Sequence, residues 1–301
     1  MISHLIADRW SLDLLAEELD QVYSTLSIGS RLSLPLTGLP YSAFAEQQQS
    51  IWQFIRNGDL FYWLKQWGQA EASQITYASL PFASSAVPSL LSVTGEDLGH
   101  ARITLTEKEA KGIKAYVLSE NLTLFMLAVA GFASVLHTLS MKRSRVVFAC
   151  TLANRTLQGY ETTVGWFAQT HVLCLDLRKR MSVSDLLREV RSVVLGAQRH
   201  QRMPPDLLWH LVRRRPLPSD AVVSVEYLKL SAETRWRRWG DVSIRNLPIL
   251  PPLARGLTFV ISERAEGIDL AFRFAREHFN ATDVTNLLEM IRQFMTTAAG
   301  I

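Results

Sequence analysis

The chain has 301 residues, 48% of them apolar and 20% charged, with a formal net charge of +4. That length supports one large or two modest folded domains, and the composition excludes a disordered or fibrous protein. The positive charge is too small and diffuse to point to nucleic acid by itself, and Asp8 and Arg9 interrupt the N-terminal apolar stretch that a signal peptide would need.

In chain order, Ser11 is expected to cap a helix over residues 12–26, with Leu12, Leu15, Leu19 and Val22 at helical spacing and Gly29-Ser30 ending it. Residues 32–36 read as a short bridge. Pro40-Tyr41 opens a second helix predicted to run to about residue 67, heavily aromatic through Trp52, Phe54, Phe61, Tyr62, Trp63 and Trp67. These aromatics are expected to pack between lobes and not to hold a cofactor. Residues 70–100 are rich in Ser, Ala, Pro and Gly without periodicity and read as a linker.

An alternating pattern follows. A strand is expected over 102–105, then a capping box at Thr106-Glu107-Lys108-Glu109 for a helix to about 118. Thr123 caps an apolar helix to about 139. That run is barely long enough for a membrane span and holds Gly131, Ser134, His137 and Thr138, so it is expected as a buried helix under a sheet. Strands are predicted over 145–150, 170–177 and 221–227. Ser182 to Asp185 caps a helix to about 199. A hairpin over 257–262 and 268–274 turns at Glu266-Gly267, and Asn280 caps a last helix to about 297. Strands mixed with helices point to an α/β sandwich, one sheet with helices on one face. Cys150 and Cys174 lie in the strand-like runs and are expected as buried free thiols in a reducing compartment.

The segment Ser3-His4-Leu5-Ile6-Ala7-Asp8-Arg9-Trp10-Ser11 carries the chemistry. An imidazole exchanges protons near neutral pH. A carboxylate four residues on can brace the loop, and the apolar triplet 5–7 is expected to anchor it in a core. His-x-x-x-Asp alone recurs by chance in many chains. The longer string His4-Leu5-Ile6-Ala7-Asp8-Arg9-Trp10-Ser11-Leu12 resembles the active-site motif of condensation domains of nonribosomal peptide synthetases, within the chloramphenicol-acetyltransferase-like acyltransferases. The family pattern is His-His-x-x-x-Asp-Gly-x-Ser followed by a helix with Leu and Glu. His4 matches its second, catalytic histidine, Asp8 its aspartate and Ser11 its serine. Ser3 replaces the first histidine, and Arg9 replaces the glycine that relieves crowding at the turn.

Three further blocks resemble the family in the same order. Tyr41-Ser42-Ala43-Phe44-Ala45 is similar to a helix start that carries Asp where Ala43 stands. Ala153-Asn154-Arg155 followed by Val164-Gly165-Trp166-Phe167-Ala168-Gln169-Thr170 is similar to an Asn-Arg … Gly-x-Phe-Val-Asn-Thr block, with Gln169 for Asn. His200-Gln201 to Pro205-Asp206 is similar to His-Gln-x-x-Pro-Phe-Glu. Each block is weak singly; the ordered set covers nearly the whole chain.

The resemblance implies a chloramphenicol-acetyltransferase-like α/β sandwich. Residues 1–70 would be the remnant of an N-terminal lobe carrying the His-x-x-x-Asp loop, 71–100 a linker and 101–301 a complete C-terminal lobe. It implies an acyltransferase of secondary metabolism, cytoplasmic and without a bound cofactor. This enzyme would join aminoacyl or peptidyl thioesters carried on the 4′-phosphopantetheine arms of carrier proteins, with adjacent synthetase domains as partners. His4 would be the catalytic residue. Asp8 would hold the loop by an ion pair to an arginine that the family usually takes from the N-terminal lobe; within this chain Arg155 or Arg9 could serve. Trp10, Trp166 and Gln169 are tunnel-lining candidates, with ordinary core packing the alternative. The substitutions at Ser3, Arg9 and Ala43 favour a second reading, an inactive condensation-like module that binds a carrier protein or partner enzyme.

Other signals are weaker. His137, His171, His200 and His210 show no metal-ligand spacing, and Ser224 lacks a Gly-x-Ser-x-Gly elbow. Two basic clusters, Arg213-Arg214-Arg215 and Arg235-Trp236-Arg237-Arg238-Trp239, read as solvated loops, or as docking surfaces for an acidic carrier protein; nucleic acid is the less favoured partner.

Overall fold

The computed structural model describes residues 2–3, 5–32, 38–49, 55, 57–71, 97–139, 145–177, 181–212, 223–229, 237–239, 242–244, 256–265 and 267–301. Three helices come first: α1 (Arg9–Ser27), α2 (Tyr41–Gln48) and α3 (Asp59–Glu71). Then follow β1 (Leu98–Thr104), α4 (Glu107–Ser119), α5 (Leu124–Leu139), β2 (Arg145–Leu152), β3 (Gln169–Asp176), α6 (Val183–Arg199) and α7 (Pro205–Val212). The chain continues with β4 (Val223–Lys229), β5 (Arg237–Trp239), β6 (Val242–Ile244), β7 (Leu257–Glu263), β8 (Ile268–Ala275) and α8 (Ala281–Ala298).

Six strands form one mixed sheet in the order β1-β8-β7-β4-β2-β3. The β4 strand pairs parallel with β2 and with β7, and the remaining pairs are antiparallel. Period-two alternation selects the core face: Val146, Phe148 and Cys150 on β2, Leu257, Phe259 and Ile261 on β7, and Ile268, Leu270, Phe272 and Phe274 on β8 belong to one buried cluster. The α5 helix lies in that cluster with eleven buried residues, and Phe132 stacks on Phe259 at 5.5 Å between centroids. Burial on nearly all sides explains its all-round apolarity. Among the described residues no single helix is long and apolar enough to cross a membrane. Capping boxes at Thr106 and Ser182 start α4 and α6, and Asn280 caps α8.

Four local expectations are corrected. Asp8, and not Ser11, caps α1: its carboxylate accepts from the Ser11 N–H, which lies in the first turn. The long aromatic helix is divided: α2 ends at Gln48, and Gly58 at φ 73° makes a left-handed turn immediately before α3. Residues 98–100, placed in the linker, belong to β1. Arg237–Trp239, placed in a solvated loop, form a strand paired with Val242–Ile244. Residues 72–96, Arg213-Arg214-Arg215 and Arg235-Trp236 lie outside the described residues.

The α3 helix closes the free edge of β3. Gln66 Oε1 accepts from the Cys174 N–H at 3.0 Å, and buried Trp63 stacks on His171 at 4.0 Å while donating from Nε1 to the His200 carbonyl at 2.7 Å. Burial drives the His171 pKa down to about 3, and a hydrogen bond to the Gln201 backbone opposes this only partly. Both cysteines are buried free thiols, and burial pushes each pKa up to about 12.

This packing sets two measurable outcomes. Phe272→Ala should cost about 3–5 kcal/mol and Thr106→Ala only about 1 kcal/mol, read as midpoint shifts in urea; a reversed order would contradict the assigned core. His171 binds its proton in the unfolded chain from pH 6.5 downward but in the folded chain only near pH 3. Its contribution to stability is therefore complete above pH 6.5 and is lost as pH falls through that window. Between pH 7 and pH 5 the loss should be on the order of 2 kcal/mol. His171→Phe, which keeps the stack on Trp63, should flatten the decline; an unchanged slope would show that the ring is not held neutral.

Candidate active site

The site is assembled from the loop before α1, the first turn of α1, and the connection between β2 and β3. Asp8 is 2% exposed. Its Oδ1 accepts from the Ser11 N–H at 2.9 Å, the Ser11 hydroxyl at 2.8 Å and Arg155 Nη2 at 3.1 Å. Its Oδ2 accepts from the Phe167 and Ala168 N–H groups at 3.0 and 3.2 Å. Burial alone would raise the Asp8 pKa. The Ser11 N–H and hydroxyl, the Arg155 charge and the Phe167 N–H outweigh it and hold the carboxyl below its ordinary value. Asp8 is thus an anion at neutral pH.

Arg155 supplies the charge from inside the fold, with a side chain 2% exposed. Nη1 donates to the Tyr160 and Thr163 carbonyls, each at 2.7 Å, and Nη2 donates to Ser11 Oγ at 2.8 Å as well as to Asp8. The guanidinium carbon sits 4.0 Å from the centre of the Phe167 ring. Four directed donors and a stacked face are a set that only a planar guanidinium provides. Arg9 instead pairs with Asp13 on the exposed side of α1. Arg155 belongs to the same part of the chain as the sheet, so this partner does not come from the N-terminal lobe that the resemblance implied.

Ser11 Oγ also stands 2.7 Å from the Gly165 carbonyl and accepts from the Gly165 N–H at 3.0 Å. Gly165 is required by close approach: a Cβ there would overlap the Tyr41 ring. Tyr41 in turn donates to the Trp166 carbonyl at 2.8 Å. Beneath the loop, Phe44, Tyr160 and Phe167 form a small buried cluster, with Phe44 and Phe167 4.5 Å apart. The Tyr41 block and the Gly165 block, far apart in sequence, meet here.

His4 lies outside the described residues. The triplet beside it does not anchor the loop as expected: Ala7 is buried, but Leu5 and Ile6 are 75% and 64% exposed. The loop is held by the polar bonds of Asp8 and by a turn in which the Ile6 N–H donates to the Ser3 carbonyl at 3.2 Å. Trp10 is half-exposed and donates from Nε1 to the Glu161 carbonyl at 3.0 Å; Trp166 is likewise half-exposed. Gln169 Nε2 donates to Gln48 at 3.4 Å. Two cavities, about 690 Å³ among α4, α5, α6 and α8 and about 420 Å³ along α1, are lined by other residues. His200 is bonded through Nδ1 to Asp59 at 2.7 Å and stacked on Tyr62. Sequence reasoning missed the carbonyls of Tyr160 and Thr163 and the N–H groups of Phe167 and Ala168. Backbone groups leave no residue-type signal; only Gly165 marks the place.

The family model for the condensation domain matches residues 2–300. A linear gramicidin synthase polypeptide of Brevibacillus parabrevis is 31% identical over 204 residues, which are 67% of this chain and 2% of that protein. The first condensation domain of the calcium-dependent antibiotic synthetase, solved with a substrate analogue, superposes with a TM-score of 0.75 at 17% identity, over 99% of this chain and 65% of that one. The X-domain from teicoplanin biosynthesis, solved in complex with OxyB, superposes with a TM-score of 0.77 at 18% identity, over 99% of this chain and 66% of that one. The chain therefore spans a small fraction of the synthase and about two thirds of each solved chain. With the mixed sheet, the buried Asp8–Arg155 tie and a match over residues 2–300, the chain belongs to the condensation-domain family of nonribosomal peptide synthetases.

Proposed function

We propose that this chain serves amide-bond formation between two thioesters presented by carrier proteins, with His4 as the catalytic residue. The observation that supports this most is the polar tie around Asp8, which fixes the backbone four residues after His4 to the end of the sheet. In this reading the acceptor amine attacks the donor thioester carbonyl. The C–N bond forms and the C–S bond breaks. His4 removes the amine proton, which leaves on the departing thiolate as a thiol. Asp8 and Arg155 carry no proton; they hold the loop. Trp10, Trp166 and Gln169 flank the approach of the pantetheine arms. The second reading is a binding module without catalysis. Ser3 at the first-histidine position favours it, and the teicoplanin X-domain, of similar fold, is solved in complex with a partner, OxyB.

Two experiments test this. Carrier proteins loaded with aminoacyl thioesters are offered to the natural polypeptide that contains this chain, and the condensed product is followed by mass spectrometry. His4→Ala should lower the rate about 10²–10⁴-fold. Equal rates in both proteins would remove His4 from the mechanism. Absence of product from either, with retained carrier-protein binding, would establish the second reading. For the tie, Arg155→Met leaves a buried carboxylate unpaired and should cost about 3–5 kcal/mol. Because the folded pKa of Asp8 is depressed, its contribution is present above the ordinary carboxylate range and is lost as pH falls through the folded value. Combined with Asp8→Asn, the cost of Arg155→Met should shrink by more than about 1 kcal/mol. Strict additivity would show that the two side chains do not act on each other.

A further inference from the structure

Asn154, immediately before Arg155, has φ 54°, a left-handed backbone that a side chain disfavours. Asparagine tolerates it when its own amide bonds to nearby backbone. That explanation fails here: Asn154 is 2% exposed, and both its Nδ2 and its Oδ1 are buried without a partner among the described residues. What holds residue 154 is its backbone N–H, which donates to Gln201 Oε1 at 2.8 Å. The Gln201 amide is itself fixed, since Nε2 donates to the Gln198 carbonyl at 2.8 Å. The residue before it is bolted down through Trp63 Nε1 on the His200 carbonyl and Asp59 on its ring. A strained residue held from outside, next to the side chain that organises a site, invites a functional explanation.

We infer that Gln201 is a positioning residue for Arg155. Its amide oxygen locks Asn154 in the left-handed conformation, and this turn delivers the Arg155 guanidinium to Asp8 and Ser11. The end of α6 thereby sets the geometry of the loop before α1. The inference rests on the reading of that loop as the active site, but its structural half is measurable without turnover.

The test compares Gln201→Met, Gln201→Glu and the double variant Gln201→Met with Asn154→Gly in the natural polypeptide containing this chain. Hydrogen exchange of the Asn154 backbone N–H and of the Arg155 guanidinium is read by ¹⁵N NMR. Gln201→Met removes the acceptor and should speed exchange at both places by about tenfold or more. Gln201→Glu keeps an acceptor for the Asn154 N–H, and in its protonated form also donates to the Gln198 carbonyl, so protection should persist and be greatest at the acid end of the stable range. Asn154→Gly makes the left-handed turn free of Cβ strain, and in the double variant should recover protection at Arg155. In the condensation assay kcat should follow guanidinium protection, falling about ten- to a hundredfold in Gln201→Met with KM held. Should Gln201→Met not fold, Gln201→Asn, one methylene shorter, is read in its place. Unchanged protection of Arg155 when the acceptor is removed overturns the inference, as does equal loss in the Glu and Met variants. Lost protection with unaltered turnover upholds the positioning and overturns the catalytic reading instead.

Discussion

A guanidinium buried away from water needs acceptors for its charge, and Arg155 meets them through Nη1 and Nη2. Its partners are the carboxylate of Asp8, the hydroxyl of Ser11 and the carbonyls of Tyr160 and Thr163. They come from the loop before α1, from α1 itself and from the β2–β3 connection. A buried ion pair of this kind contributes little net stability over an apolar pair of the same volume. Its value lies in geometry: each bond is directional, so the start of α1 and the β2–β3 connection, far apart in sequence, are held in one arrangement.

That arrangement needs a stiff base. The β2 and β3 strands are paired over eight positions, from Arg145 with Asp176 to Leu152 with Gln169, and the site loop is the connection between them. Parallel pairing with β4 ties β2 to the rest of the sheet, and Val146, Phe148 and Cys150 anchor it in the main core. The α3 helix covers the outer edge of β3 with Trp63 and Gln66, and its Tyr62 reaches α6. The histidines there are used as packing and bonding pieces. His171 lies flat on Trp63 and is kept neutral, and His200 holds Asp59. Their chemistry is committed to the scaffold.

The parts legible in the sequence are those set by local pattern. Period-two apolar runs mark the hairpin β7–β8 nearly to the residue, and the Thr106, Ser182 and Asn280 caps are visible as residue types at fixed offsets. The departures have one cause in common: a distant partner overrides a local preference. Ser11 is a good cap by type, yet Asp8 caps α1 because the same carboxylate is drawn inward by Arg155 and two N–H groups of the β2–β3 connection. The aromatic run 52–67 reads in the sequence as one helix, but Gly58 turns the chain just ahead of α3, whose Tyr62 and Trp63 reach His200 and His171. The partner of Asp8 could be narrowed to two arginines and no further, since nothing local in Arg155 says that it points inward while Arg9 points out.

The exposure of Leu5 and Ile6 is the most instructive departure. Leu5 and Ile6 look like anchors, and apolar burial would be the ordinary way to hold a loop. Burial, however, is non-directional: it favours any orientation that removes apolar area from water. Directional bonds fix a loop in angle as well as in place. Hydrogen bonds to Asp8 from Phe167, Ala168, Ser11 and Arg155 fix the following backbone in both respects. Within this chain the Leu5 and Ile6 side chains take no part in holding the loop. In this fold the polar network does what a hydrophobic anchor could not, and its dependence on one arginine is the consequence.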